Sequence, residues 1–173
     1  FLNGKKPIQH RSSYGLGEVI KAALDNHTEH LVISLGGIGS FDGGAGMLQA
    51  LGATFYDDEA QIVDMRKGAD LIKYIRRIDL SGVHPQLAKV NIQLMSDFSS
   101  RLYGKKSEIK QTYESLDLSQ NEAAEIDNLI WYFSELFKNE LKIAMGPIER
   151  GGAGGGIAAV LNSLYQAEIL TSH

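Results

Sequence analysis

Residues 31–51 limit what this chain can become more than any other stretch. Leu31-Val-Ile-Ser-Leu35 is an apolar, partly β-branched run of strand length. It enters a loop with glycine at positions 36, 37, 39, 43, 44 and 46, then leaves through Met47, Leu48 and Leu51 at helical spacing. Glycine lets the backbone turn through φ > 0 and lets another backbone or a ligand come close. N–H groups gathered ahead of a helix start form a place where an anion can sit. The expectation is a strand, a backbone-lined pocket and a helix, in that order. The strand has the composition of one buried on both faces of a parallel sheet.

The pattern around this stretch is α/β. Leu16, Val19, Ile20, Ala23 and Leu24 share a helix face behind the hydroxyls of Ser12 and Ser13, and Asn26-His27-Thr28 ends that helix. His27 and His30 straddle the turn and read as surface histidines rather than metal ligands. Ala53–Tyr56 reads as a second strand, residues 68–77 as a short helix with Leu71, Ile72 and Ile75 inward, and 78–85 as turn-rich. Val90, Ile92 and Leu94 alternate with polar residues in a strand that has one solvated side and delivers Asp97 just past its end. Residues 99–118 lack periodicity and read as mobile loop. Ser119 and Glu122 form a capping box ahead of a long helix carrying Ala123, Ile126, Leu129, Ile130, Phe133, Leu136, Phe137 and Leu141. Trp131 and Tyr132 flank that face as packing residues. A second glycine loop, 151–156, runs into a helix bearing Ile157, Val160, Leu161 and Leu164.

At 173 residues the chain suits a single domain. Its ragged ends, with the closing apolar run at Ile169-Leu170 completing no visible unit, suggest one lobe of a larger protein. A formal charge of −4 provides no basic face for nucleic acid. No stretch reaches the roughly 18 uninterrupted apolar residues of a membrane helix. The absence of cysteine excludes disulfides and cysteinyl metal sites and fits a cytoplasmic protein.

The chemistry is less explicit. Neither glycine loop contains the lysine of a Walker A motif, and Asp42 stands where a dinucleotide fingerprint needs its third glycine. No Gly-x-Ser-x-Gly elbow occurs. Asp42 and Asp97 both follow strands, where α/β proteins keep their ligands, and a carboxylate pair there suits Mg²⁺ with phosphate oxygens. The plainer reading of the same residues is helix caps, tight turns and close packing.

Taken in order, several blocks resemble the type I glycerate kinase family. They are Ser13-Tyr14-Gly15-x-Gly17-Glu18-x-Ile20; Gly36-Gly37-x-Gly39-Ser40-x-Asp42-Gly43-Gly44-Ala45-Gly46-Met47-x-Gln49-Ala50-Leu51-Gly52; Ile78-Asp79-Leu80-Ser81-Gly82; Pro85-x-Leu87; the strand ending at Asp97; and Gly151 to Gly156. The resemblance implies a two-lobed α/β enzyme that transfers the γ-phosphoryl group of ATP, with Mg²⁺, to a hydroxyl of glycerate. This chain then corresponds to the inserted lobe, a mixed sheet with helices packed on it. Its partners would be glycerate or a similar small hydroxy acid, and the second lobe. Asp97 and Asp42 are the implied catalytic residues, with Asp97 also a Mg²⁺ ligand. Ser12, Ser13, Gly36, Gly37, Gly39, Ser40, Gly43, Gly44, Gly152, Gly154 and Gly155 are implied to bind substrate or phosphate. Two departures from the family pattern, Phe41 before Asp42 and Phe98-Ser-Ser-Arg-Leu102 after Asp97, support an alternative. That alternative is a non-catalytic member binding a small carboxylate, a nucleotide or a protein partner.

Overall fold

The structure, a computed structural model, describes residues 6–97 and 99–171. In chain order its main elements are α1 (Tyr14–Asp25), β1 (His30–Ser34), α2 (Ala45–Ala50), β2 (Thr54–Tyr56), β3 (Arg77–Asp79), β4 (Asn91–Met95), α3 (Glu108–Thr112), α4 (Gln120–Leu136), α5 (Ile157–Tyr165) and β5 (Glu168–Leu170). β1, β4 and β5 form a parallel sheet in that order, and β2 pairs antiparallel with β3. The fold is mixed α/β, as expected.

The register of the parallel sheet corrects one expectation. Val32 pairs with Gln93, which pairs with Glu168, so these three side chains share a face. The polar alternation of β4 is therefore imposed on β1. Leu31 and Ile33 are buried while Val32 stays 66% exposed. An apolar run alone does not distinguish two covered faces from one.

Helices lock this frame through close contacts. At Gly17 in α1, a Cβ would meet the Met47 carbonyl and Ala50 of α2, so the missing side chain is what lets the two helices touch. α4 opens with the expected capping box: Ser119 Oγ accepts from Glu122 N–H at 3.2 Å, and Glu122 accepts the Ser119 N–H at 2.8 Å. Its Phe133 stacks edge-on against Phe55 of β2 and against Phe137, at 5.9 and 4.9 Å between ring centroids. Tyr132 packs beside them and donates to Ile75 O at 2.7 Å, whereas Trp131 remains half exposed.

Several segments differ from the sequence reading. Residues 68–77, read as a short helix, hold a 3₁₀ helix at Ala69–Tyr74 and give Arg77 to β3, and Val19 of α1 is exposed rather than inward. Residues 99–118 are not loop throughout: α3 and a 3₁₀ turn, Tyr113–Leu116, lie within them, anchored by buried Leu102 and Ile109. Those two anchors are too sparse to show a period. The turn-rich segment 78–85 shares Ile78 and Asp79 with β3, and Ile169-Leu170 belongs to β5, which pairs with β4 in the parallel sheet. Phe98, part of the altered turn, lies outside the described residues, as do residues 1–5 and 172–173.

Connectivity then fixes where ligands can meet the chain. α1 leads directly into β1, and α5 directly into β5, so each helix runs back along the strand that follows it. The starts of both helices therefore lie at the carboxyl ends of the strands. Ser12, Ser13, both glycine loops and Asp97 converge on that end. His27 and His30 lie at the opposite end and are exposed.

Candidate functional site

The first glycine loop is organised by Asp42. Its side chain is 1% exposed, and Oδ2 accepts from Ser13 N (2.8 Å), Ser13 Oγ (2.9 Å) and Gly46 N (3.1 Å). Oδ1 accepts from Gly44 N at 3.0 Å. Ser13 Oγ in turn accepts from Met47 N at 2.9 Å, and Gly43 N–H reaches across to Gly155 O at 3.0 Å. Burial pushes the Asp42 carboxyl up from its ordinary value, against the downward pull of the bonds from Ser13, Gly46 and Gly44. The amides of Gly43, Gly44, Gly46 and Met47 thus have partners inside the chain. Of the Ser12-Ser13 pair ahead of α1, Ser12 Oγ accepts from Tyr14 N–H at 3.1 Å, and the Ser13 side chain makes no capping bond to α1.

Glycines 43 and 44 serve packing. A Cβ at Gly43 would lie 2.7 Å from the Phe133 ring, and Gly44 abuts Ile157 and Val160. Gly152 and Gly155 press against the carbonyls of Arg101 and Ser40 in the same way. The picture changes at Gly36 and Gly37. No atom lies within 4 Å of a Cβ built on Gly37, and Gly36 meets only Ser34 Oγ at 3.9 Å. These two glycines face open space.

That space is a pair of cavities. One, of about 270 Å³, is lined by Arg11, Ser12, Ser13, Gly37, Gly39 and Ser40 among others. Its neighbour, of about 210 Å³, is lined by Gly36, Met95, Ser96, Asp97, Glu108 and Gly154 among others. Ser34 and Gly37 line both, so the end of β1 is their common wall. Asp97 and Asp42, expected to act together, are separated by this arrangement. Asp97 lines the second cavity, and Asp42 lines neither.

Two site residues escaped the sequence reading. Arg11 sits in the lead-in to α1, where it donates through Nη1 to Gly39 O at 3.4 Å and through Nε to Lys6 O at 2.9 Å. It brings a cation to the larger cavity, and no motif marks it. Glu108, at the first position of α3, accepts the Gly155 N–H at 3.2 Å. Burial pushes its carboxyl up from the ordinary value, against hydrogen bonds from the Gly155 and Gly154 amides. The only signal was Ser107 ahead of Glu108-Ile109, a helix start too short to register.

What this arrangement can bind follows from its donors. Among the described residues no group of three or more His, Cys, Asp or Glu side chains could hold a metal. A Mg²⁺ ion at Asp97 would take one or two carboxylates here and its remaining oxygens from phosphate or water. The amides of Gly43, Gly44, Gly46, Met47 and Gly155 are already bonded, to Gly155 O, Asp42, Ser13 and Glu108, so a ligand meets the residues that line the two cavities. They fit a small molecule bearing both a negative charge and hydroxyls.

Comparison with known proteins bears on the family and the fold. The model of the Glycerate kinase family matches residues 2–172. A glycerate kinase from Halalkalibacterium halodurans is 30% identical over 159 residues, covering 92% of this chain and 41% of that protein. Glycerate 2-kinase from Escherichia coli K12 is 30% identical over 158 residues, 91% of this chain and 41% of its own length. The crystal structure of a protein designated glycerate kinase 2 from Salmonella typhimurium LT2 superposes with a TM-score of 0.90 at 28% identity, over 98% of this chain and 45% of that one. The chain spans less than half the length of these relatives. No helix among its described residues is long and apolar enough to cross a membrane. In sequence and in fold, the chain belongs to the glycerate kinase family.

Proposed function

We propose that this chain is the acceptor-binding lobe of a protein that phosphorylates a hydroxyl of glycerate or a closely related small hydroxy acid, using ATP and Mg²⁺. The observation that carries the reading is the paired cavity at the strand ends, with Arg11 on one side of the Ser34–Gly37 wall and Asp97 on the other. A hydroxy acid has the same polarity, a carboxylate at one end and hydroxyls at the other. Phosphoryl transfer depends on positioning and on charge neutralisation more than on a nucleophilic side chain. In this reading Arg11 and the hydroxyls of Ser12 and Ser40 receive the carboxylate, while Ser13, whose hydroxyl proton goes to Asp42, holds the wall behind them. Asp97 orients the acceptor hydroxyl and takes its proton as the oxygen bonds to the γ-phosphorus and the bond from that phosphorus to the bridging oxygen breaks, releasing ADP. With the amides of Gly43, Gly44, Gly46, Met47 and Gly155 already bonded, nucleotide phosphates would bind chiefly to the remainder of the protein in this reading, and Asp97 would hold Mg²⁺, whose charge would offset that of the phosphates.

The test is an ATP- and Mg²⁺-dependent phosphorylation assay with glycerate on the full-length protein, alongside its Asp97→Asn variant. Wild-type turnover is expected, with kcat reduced roughly 100-fold or more in the variant, the usual scale for losing a positioned acid–base group. Absence of wild-type turnover with retained glycerate binding would convert the assignment to a non-catalytic binder. Phe41, which the family resemblance marks as a departure and which is buried in the core, favours that second outcome.

A further inference from the structure

The acidic cavity contains a carboxylate for which the proposed reaction has no use. Glu108 accepts the Gly155 N–H at 3.2 Å, and the adjoining Gly154 amide also favours its carboxylate; these are the two N–H groups that a glycine loop ahead of a helix would offer to a ligand anion. The chain has filled that place from within. Asp97 and Glu108 line the cavity, and among its described lining residues there is no lysine, arginine or histidine. A second anion entering would shed water and meet two carboxylates in poorly polarisable surroundings, where like charges repel strongly. The nearest cation lining this pair of cavities, Arg11, lies beyond the Ser34–Gly37 wall.

We propose that Glu108 is the specificity-determining residue of this cavity. Its carboxylate serves as a built-in anion on the Gly154 and Gly155 amides, closing the second glycine loop to phosphates and carboxylates and reserving the cavity for the hydroxyl end of the acceptor. The acceptor's orientation follows, with its charged end towards Arg11 and its hydroxyls towards Asp97. The identity of the acceptor rests on the hydroxy-acid reading above; the closing of the loop does not.

The test follows the amide resonances of Gly154 and Gly155 in the full-length protein. Inorganic phosphate, with and without Mg²⁺, is expected to leave both unmoved in the wild type. In Glu108→Ala, where the amides lose their partner, sodium formate is expected to shift both resonances and to raise the melting temperature by a few degrees, as any ligand selective for the folded state does. In Glu108→Gln the side-chain carbonyl still occupies the amides, so formate is expected to do neither. Phosphate shifting these amides in the wild type overturns the proposal whether or not the alanine variant folds. Formate leaving a folded Glu108→Ala unchanged overturns it too, as does an equal formate response in all three proteins. None of these readouts requires turnover. Formate rescue in a protein that fails to phosphorylate glycerate would keep the role of Glu108 and remove the kinase reading, and phosphate on these amides in an active kinase would do the reverse.

Discussion

Asp42 and Glu108 use one device twice: a carboxylate supplied by the chain consumes the amides of a glycine loop. Asp42 is the more deeply embedded, holding Ser13, Gly44 and Gly46 at once. Asp42→Asn replaces one acceptor oxygen with a donor that faces other donors, and roughly 2–4 kcal/mol of stability is expected to be lost in urea denaturation. The glycines separate in the same way. Gly43→Ala, at φ +64 and against Phe133, is expected to destabilise by roughly 2–4 kcal/mol through left-handed strain and overpacking together. Gly37→Ala, at φ +72 with empty space beyond, should lose only about 1–2 kcal/mol from the strain, and acceptor binding should weaken more than stability does. Equal losses at the two sites would remove Gly37 from the cavity wall. Glu108 adds a pH dependence. Its folded pKa is raised, so the folded chain holds the proton more tightly than the unfolded one. That stabilisation is fully present below the ordinary glutamate pKa and lost as pH rises through the raised value. Thermal melts of the wild type and Glu108→Gln across roughly pH 4 to 8 should diverge in that window, since glutamine cannot titrate.

At the scale of elements, what could be read from the sequence depended on length. α1, α4 and α5 carry enough turns for their apolar period to stand out, and the capping box at Ser119 announces its helix locally. Ser119→Ala is expected to lower stability by about 1 kcal/mol. Glu122 completes the cap, and its pKa is lowered by hydrogen bonds from the Ser119 amide and hydroxyl. The stability it adds is therefore present above the ordinary glutamate pKa and lost as pH falls through the lowered value, which an acid titration of melting temperature will follow. β3 and β5 have three residues each and take their identity from the strands beside them, which no local pattern records. The glycine loops were visible; which of their amides were already taken was not. Ser13 and Asp42 lie 29 residues apart, and Glu108 and Gly155 lie 47 apart, so only the folded chain pairs them.

Across the whole molecule a single apolar core runs from the parallel sheet through α1, α2 and α4 to the β2–β3 pair. Circular dichroism and intrinsic fluorescence are expected to report one coincident unfolding transition for this chain, and separated transitions would mean that the β2–β3 side melts independently. Asp42 also governs how the lobe can move. It fastens the starts of α1 and α2 to each other, while the Leu35 N–H, bonded to Met95 O at 2.9 Å, fastens the end of β1 to β4. Between those two fixed points runs the arch of residues 36–41, the wall that divides the cavities. Adjustment to a guest is therefore a flexing of that arch, a loop motion on the ns–μs scale, and not a swing of helices. The chain is in this sense an anvil: it presents a shaped, stationary surface to what binds there.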